Sequence, residues 1–181
     1  PFRADDPPAP QDAYARSKWQ GETTLRGIAA PEAMSPLVLR LPLVYGPGVR
    51  GNFRTLWDAV AEHRWLPFAA IDNRRSLIGL ANLCDAFVAA LDAPAGTYFV
   101  ADAESVSTPQ LVRAIAAAQG VEANLGYVPP AALRVLGALI ARRDGVARIL
   151  SSLEVDSAPF RVVSGWAPAQ TLAEGLARII A

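Results

Sequence analysis

Residues 36–45 read PLVLRLPLVY, and the glycine-rich stretch GPGVRG follows at residues 46–51. An apolar run of this kind is typical of a strand that is covered on both faces, as in a parallel sheet. A loop that leads from such a strand into a helix is the usual ligand position in an open α/β sheet, although an ordinary strand-to-helix turn has the same pattern. The stretch therefore predicts an α/β fold, with a helix from Phe53 to about His63 that is capped by Asn52.

Composition restricts the possible classes of function. The chain has 181 residues, of which 52% are hydrophobic, so one domain with a substantial core is expected. Its formal net charge is zero, which argues against a nucleic-acid or acidic membrane partner. Because the chain has one cysteine, an internal disulfide is excluded. The sequence also has no cluster of potential ligand residues that would indicate a metal site. Without an apolar run of about 20 residues no membrane span is expected, and the cytoplasm is the predicted location.

Tyr14 and Lys18 form the one plausible acid/base pair in the sequence. They are four residues apart, so on a helix they lie on one face, one turn from each other. An ammonium group near a phenol favours the phenolate, which makes the tyrosine a usable proton donor and acceptor for a carbonyl/alcohol couple. Lys18 is the only lysine among 17 basic residues, which strengthens this interpretation over that of two solvated surface residues.

The remaining pattern alternates helices and short strands. Asp12 is the expected cap of the helix that carries Tyr14 and Lys18. Further helices are predicted at residues 81–91, 108–119, 130–141 and 172–180, and further strands at 76–80, 96–101, 125–128 and 153–156. The chain begins at Pro1, without a methionine or a signal peptide, so we expect a piece of a longer protein.

Several motifs in a fixed order carry a family resemblance. They are Tyr14-x-x-x-Lys18, the segment Leu39 to Gly48, Asn52-Phe53, Asn73 to Leu77, Asn82 to Ala86, Gly165-Trp166-x-Pro168 and Leu172 to Leu176. With these motifs the chain resembles the NAD-dependent epimerase/dehydratase family, which comprises extended short-chain dehydrogenase/reductases, and its UDP-glucose 4-epimerase-like members most of all.

The resemblance implies a fold. The chain would be the carboxy-terminal part of a Rossmann-type doubly wound sheet plus a small α/β substrate-binding subdomain. Residues 11–64 would hold the acid/base helix, a late Rossmann strand and the following helix. Residues 65–181 would form mainly the substrate-binding subdomain, with some elements that complete the sheet. The amino-terminal half, which binds most of the dinucleotide and carries the family's catalytic Ser or Thr, would be missing.

The resemblance also implies roles for individual residues. Tyr14 would be the catalytic acid/base, and Lys18 would bind the nicotinamide ribose of NAD or NADP and tune Tyr14. The segment beside the nicotinamide would consist of Pro42, Leu43, Val44 and Tyr45. The diphosphate of a nucleotide sugar, a UDP-sugar in the first instance, would be bound by Asn52, Arg75 and Arg148. A homodimer formed through the Tyr14–Lys18 helix is implied as well.

The sequence departs from the family at the neighbouring positions 79, 81 and 82. The family tends to have an aromatic residue or His at position 79 and an acid at 81 or 82, whereas this chain has Gly79, Ala81 and Asn82. Three functions stay open: a nucleotide-sugar epimerase, dehydratase or ketoreductase that works by transient hydride transfer; a reductase of the same superfamily that acts on another alcohol or ketone; and a non-catalytic binding or assembly module.

Overall fold

The computed structural model describes residues 1–29, 34–139, 147 and 149–180. In this part of the chain, helices alternate with short strands. The helices are α1 (Ala13–Ile28), α2 (Gly51–Ala61), α3 (Leu80–Ala90), α4 (Thr108–Gln119), α5 (Pro130–Leu139), α6 (Ala158–Ser164) and α7 (Leu172–Ile180). The strands are β1 (Leu37–Arg40), β2 (Leu43–Tyr45), β3 (Leu77–Gly79) and β4 (Gly96–Phe99).

The four strands form two parallel pairs. Strand β1 pairs with β4, with Leu37 opposite Gly96. Strand β2 pairs with β3, with Tyr45 opposite Gly79. Parallel strands joined through helices confirm the predicted α/β class. Both pairs join a strand before residue 64 to one after it, so neither half of the sequence forms a sheet by itself.

The prediction of one continuous strand over residues 36–45 is wrong. The chain forms β1 and β2, which pair with different partners, and the break falls at Leu41 and Pro42. Proline has no N–H to give to a ladder, so the strand ends there and the chain changes sheet. The run is not covered on both faces either, because Leu41 is 40% exposed and Leu43 37% exposed.

The start of α2 also differs from the prediction. The helix begins at Gly51, Arg50 occupies the cap position, and no side chain caps the helix there. Gly51 takes φ +66°, a backbone conformation that glycine adopts without a steric penalty. Asn52 therefore lies in the first turn of α2 rather than at its cap.

Two hydrophobic clusters hold the described elements together. The larger one packs α2, α4 and α7 around Tyr45 and Leu77. The smaller one packs β3, α3 and α6, with Ile78, Phe160 and Trp166 at its centre. Burial of such side chains is the main stabilising contribution, about 1.5–3 kcal/mol for each large one. Because β2 ends in one cluster and β3 contributes to both, the carboxyl ends of these strands are firmly held.

Other predictions succeed where local signals are strong. Ser107 caps α4 in a reciprocal capping box with Gln110, and Gly120 ends that helix in the left-handed conformation.

The strands predicted at 125–128 and 153–156 form only isolated bridges, so those predictions are wrong. Helix α6 was not predicted, because seven residues span only two turns and show little periodicity.

Candidate active site

Tyr14 and Lys18 lie side by side on α1, as their spacing predicts. The Nζ atom of Lys18 is 5.4 Å from the centroid of the Tyr14 ring, which is within the range of a cation–π contact. Tyr14 is 71% exposed, and Lys18 is exposed too. Neither the Tyr14 hydroxyl nor the Lys18 ammonium makes a hydrogen bond to a residue that the structure describes. Both groups are therefore open to a ligand.

Helix α1 is attached to the rest of the chain by polar contacts on a neighbouring face. Asp12 accepts a hydrogen bond from the Ala15 N–H at 2.8 Å and caps the helix, as predicted. The Glu22 carboxylate forms a salt bridge of 2.8 Å with Arg40 of β1, and Arg40 lies 5.7 Å from the Trp19 ring centroid. No residue of α1 is buried. The helix is thus fixed to β1 while its Tyr14–Lys18 face stays uncovered.

The segment Pro42 to Tyr45 forms β2 and the residue before it. Pro42 is buried and Leu43 is exposed. The Tyr45 side chain is only 1% exposed, and its ring stacks on Phe53 with centroids 5.9 Å apart. If Tyr45 contacts a cofactor, its backbone must make the contact, because its side chain points into the core.

The Tyr45 hydroxyl donates a hydrogen bond of 2.8 Å to Asp102, a residue that sequence reasoning missed. Asp102 also accepts from the Gly79 N–H at 3.1 Å and from the Asn82 amide at 2.7 Å. Burial, with the Asp102 charge and this hydrogen bond, raises the pKa of Tyr45 well above its ordinary value. This chain has no acidic residue at positions 81 and 82. Asp102, which is 20 residues away from Asn82 in the sequence, supplies a carboxylate beside it instead, and sequence spacing alone does not reveal this contact.

The same network explains Gly79. A Cβ atom at position 79 would lie 3.2 Å from the Tyr45 hydroxyl oxygen, closer than is usual for a side-chain contact. A large side chain at position 79 would therefore compete with Tyr45 for the same space. The departures from the family at positions 79 and 82 belong to one local arrangement around Tyr45.

The structure does not join the predicted diphosphate residues by any described contact. Asn52 is exposed in the first turn of α2, after the carboxyl end of β2. Arg75 lies two residues before the amino end of β3. Since β2 and β3 are parallel, the two residues lie toward different ends of this strand pair. Arg148 lies outside the described residues.

Arg75 is held in the middle of a three-segment arrangement. Its backbone bridges Val106 on one side and Leu153 on the other. Its guanidinium donates a long hydrogen bond of 3.4 Å to the Ser151 carbonyl. Partial burial lowers the pKa of Arg75, because removal from water disfavours the charged form. A half-buried guanidinium is suited to binding an anion, but the side chain also has neighbours within the fold.

An open cleft of about 490 Å³ lies elsewhere, between the segments 101–105 and 154–158. Arg74, Asp102, Glu154 and Arg161 are among the residues that line it. Tyr14, Lys18, Asn52 and Arg75 are not among the residues that line this cleft. Within the described residues, no group of three or more His, Cys, Asp or Glu side chains could hold a metal ion. No described helix is long and apolar enough to cross a membrane.

The fold and the exposed tyrosine–lysine pair define the chain as part of a Rossmann-type α/β protein. The sequence profile of the NAD dependent epimerase/dehydratase family matches residues 1–101, more than half of the chain. The chain belongs to this family, and the resemblance seen in the sequence is confirmed.

The proteins that resemble this chain are longer than it is. UDP-glucose 4-epimerase of Vibrio cholerae is 36% identical over 179 residues, which are 97% of this chain and 55% of that protein. UDP-glucuronic acid 4-epimerase from Bacillus cereus, solved in complex with NAD, superposes with a TM-score of 0.74 at 17% identity, over 98% of this chain and 54% of that one.

A second structure agrees in fold. UDP-glucose 4-epimerase from Thermotoga maritima, solved with UDP-glucose, superposes with a TM-score of 0.75 at 20% identity, over 99% of this chain and 56% of that one. At these identities the structural likeness establishes the fold alone. The chain spans about half the length of the relatives that it matches.

Proposed function

We propose that these residues form the acid/base and substrate-binding part of a nucleotide-sugar epimerase or dehydratase. The observation that carries the proposal is the exposed Tyr14–Lys18 pair on α1, in a chain that belongs to the epimerase/dehydratase family. The UDP-glucose 4-epimerase of Vibrio cholerae, which is 36% identical, supports a UDP-sugar as the substrate.

Tyr14 is the proposed proton acceptor and donor for a hydroxyl group of the sugar. The Lys18 ammonium lies 5.4 Å from its ring centroid, and both groups are exposed, so a bound sugar hydroxyl could meet the two side chains together. A nicotinamide cofactor, when bound, supplies the hydride acceptor that makes a transient keto sugar accessible. Once a hydride has returned to the keto carbon, Tyr14 would return the proton to the oxygen and complete the cycle. The product of such a reaction is an epimer, a dehydrated sugar or a reduced sugar.

The residues present fit the nicotinamide side of such a cofactor. The Tyr14 hydroxyl and the Lys18 ammonium are exposed and make no hydrogen bond to described residues, so both could meet ribose hydroxyls. The backbone from Pro42 to Tyr45 is the proposed contact to the nicotinamide. The cofactor of this proposal is NAD or NADP.

Asn52 and Arg75 are the proposed contacts to the substrate diphosphate, and Arg148 is a third candidate. Asn52 lies in the first turn of a helix that no side chain caps, where backbone N–H groups favour anions. Arg75 brings a half-buried guanidinium, which binds phosphate oxygens in a bidentate manner.

The proposal includes an amino-terminal dinucleotide-binding half that packs on this chain. Helix α1 has no buried residue, and α3 presents the exposed apolar side chains Phe87 and Val88, with Leu91 directly after it. Such surfaces are usually covered in a complete protein. Dimerisation through α1 and a cytoplasmic location belong to the same proposal.

The test is turnover by the full-length protein. Purified enzyme with NAD and a panel of UDP-sugars should give new sugar signals by NMR. Tyr14→Phe should reduce the rate by about 10²–10⁴-fold, the usual contribution of a general acid/base, and should leave UDP-sugar affinity within about threefold. Tyr127→Phe, which changes another exposed tyrosine, serves as the matched control. A Tyr14→Phe enzyme that retains about half of the wild-type rate would contradict the assignment.

A further inference from the structure

The Asp102 carboxylate lies where three strands of the fold end. It accepts a hydrogen bond from Tyr45 at the end of β2, from Gly79 at the end of β3, and from Asn82 in the first turn of α3. Asp102 itself follows β4 by three residues. Asn82 extends the network, because it exchanges hydrogen bonds of 2.8 and 2.9 Å with the backbone of Gln170, just before α7. Directly, and through Asn82, the Asp102 side chain thus connects β2, β3, α3 and the segment just before α7.

Tyr45 transmits this restraint to the loop that leads to Asn52. Gly46 follows Tyr45 directly and packs so closely on Leu80 that a Cβ atom would lie 2.7 Å from the Leu80 Cβ. The loop then turns through a hydrogen bond from the Val49 N–H to the Gly46 carbonyl. At its far end, Phe53 of α2 stacks on the Tyr45 ring. The Tyr45 side chain therefore supports both ends of the segment 46–52.

We propose that Asp102 is a positioning residue that holds the Tyr45 hydroxyl and thereby fixes the loop 46–50 and the first turn of α2 for ligand binding. Asp102 touches no proposed reacting group and acts through Tyr45. That the loop serves a nucleotide-sugar diphosphate rests on the proposed function; that Asp102 fixes the loop rests only on the geometry around Tyr45.

A carboxylate suits this position for a simple reason of hydrogen bonding. Three donors converge on Asp102, and its two oxygens can accept from all of them. An asparagine has one acceptor oxygen, so its NH₂ group would face either the Asn82 NH₂ group, which cannot accept, or the Tyr45 hydroxyl, which would then accept a neutral and weaker hydrogen bond. The raised pKa of Tyr45 agrees with this arrangement, because its hydroxyl stays a donor to the carboxylate. Asp102→Asn therefore disrupts the network while changing the side-chain volume very little.

The test is hydrogen–deuterium exchange of the full-length protein. Asp102→Asn and Tyr45→Phe should each accelerate exchange in the segment 46–51 by about tenfold to a hundredfold, the range expected for loss of a hydrogen bond to a charged group. Exchange in the surface turn 91–93, where the Leu91 and Ala93 N–H groups bond to the end of α3, should stay unchanged, because such a turn opens locally. Tyr98→Phe is the matched control, because its hydroxyl donates only to the Pro94 carbonyl at 3.2 Å.

Two exchange results would overturn the proposal. Unchanged exchange in 46–51 would show that the network does not hold the loop. Equal acceleration in 46–51 and in the turn 91–93 would show a general loosening of the surface instead of local positioning. If Asp102→Asn does not fold, Tyr45→Phe decides, because it retains the stacked ring and removes only the hydroxyl.

Kinetics of the full-length enzyme give the second readout. Both variants should raise KM for the UDP-sugar about tenfold and leave kcat within about twofold, because the loop binds ligand and does not transfer the proton. Asp85→Asn, an exposed charge on α3, should change neither. A fall in kcat with KM unchanged would overturn the positioning role. If the wild-type protein turns over no nucleotide sugar, the proposed function fails, while the exchange experiment still decides whether Asp102 positions the loop.

Discussion

Two tyrosines of this chain occupy opposite environments. Tyr14 is 71% exposed on a helix with no buried residue, and the Lys18 ammonium lies 5.4 Å from its ring centroid. Tyr45 is 1% exposed, stacked on Phe53, and donates to the Asp102 carboxylate. Burial and the neighbouring anion favour retention of the proton on Tyr45. Tyr14 is thus accessible to a ligand, as its proposed role in proton transfer requires, whereas Tyr45 supports the fold.

The largest expected contrast is in stability. Tyr45→Phe should lower the free energy of unfolding by about 1.5–3 kcal/mol, because it removes a buried hydrogen bond to a charged group. Tyr14→Phe should change it by less than about 0.5 kcal/mol, because the side chain is exposed and its hydroxyl has no described partner. Urea denaturation of both variants measures the difference. Equal losses would mean that Tyr14 is a structural residue as well.

Arg75 shares features with both tyrosines. Like Tyr45 it is partly buried and hydrogen-bonded within the fold, to Ser151, and like Tyr14 it is a proposed ligand-binding residue. Arg75→Ala should weaken UDP binding by about tenfold to a hundredfold, which corresponds to about 1.5–3 kcal/mol for a charge-assisted contact. Isothermal calorimetry on the full-length protein measures this affinity.

The control for this variant is Arg74→Ala, which removes an exposed guanidinium paired with Glu154. It should leave UDP affinity within about twofold, since an exposed ion pair contributes little. A loss of stability in Arg75→Ala without a loss of UDP affinity would assign Arg75 to the structural group with Tyr45.

Two helical glycines sharpen the same comparison. Gly175 of α7 lies under the Tyr45 ring, where a Cβ atom would be 2.8 Å from Tyr45 Cε2, whereas Gly21 of α1 has no neighbouring atom within 4 Å. Gly175→Ala should destabilise by about 1 kcal/mol or more, because overpacking outweighs the gain in helix propensity. Gly21→Ala should stabilise by about 0.5–1 kcal/mol. Thermal unfolding measures both, and equal signs would contradict the assigned packing.

The smallest expected effect is a pH dependence at Glu154. A hydrogen bond from Arg74 lowers the pKa of Glu154 below its ordinary value of 4.5. A depressed carboxyl pKa contributes stability above the ordinary pKa, and that stability is lost as pH falls through the lowered value. Glu154→Gln should therefore lower stability near pH 6 by about 0.2–1 kcal/mol and make no difference once the pH lies below the lowered pKa of Glu154. Glu62→Gln is the exposed control, and identical pH profiles would contradict the pairing.

Local signals in the sequence predicted much of this protein. Strong caps fixed α1 at Asp12 and α4 at Ser107, because a capping side chain bonds to N–H groups within three residues of itself. A spacing of four residues placed Tyr14 and Lys18 together, because helix geometry repeats every 3.6 residues. Ordered motifs also predicted the family, which the match over residues 1–101 confirms.

Only the tertiary structure decided the contacts between distant segments. The apolar run at 36–45 could not reveal that it splits at Pro42 between two sheets, because hydrophobicity specifies burial and not the partner strand. Asp102 could not be linked to Tyr45, which is 57 residues away, because their contact depends on where the parallel strands end. Local signals in the sequence therefore predicted the capped helices and the neighbouring positions of Tyr14 and Lys18 on α1. The fold decided which tyrosine is buried on a carboxylate and which one faces outward, because burial and electrostatic environment are properties of packed elements rather than of neighbouring residues.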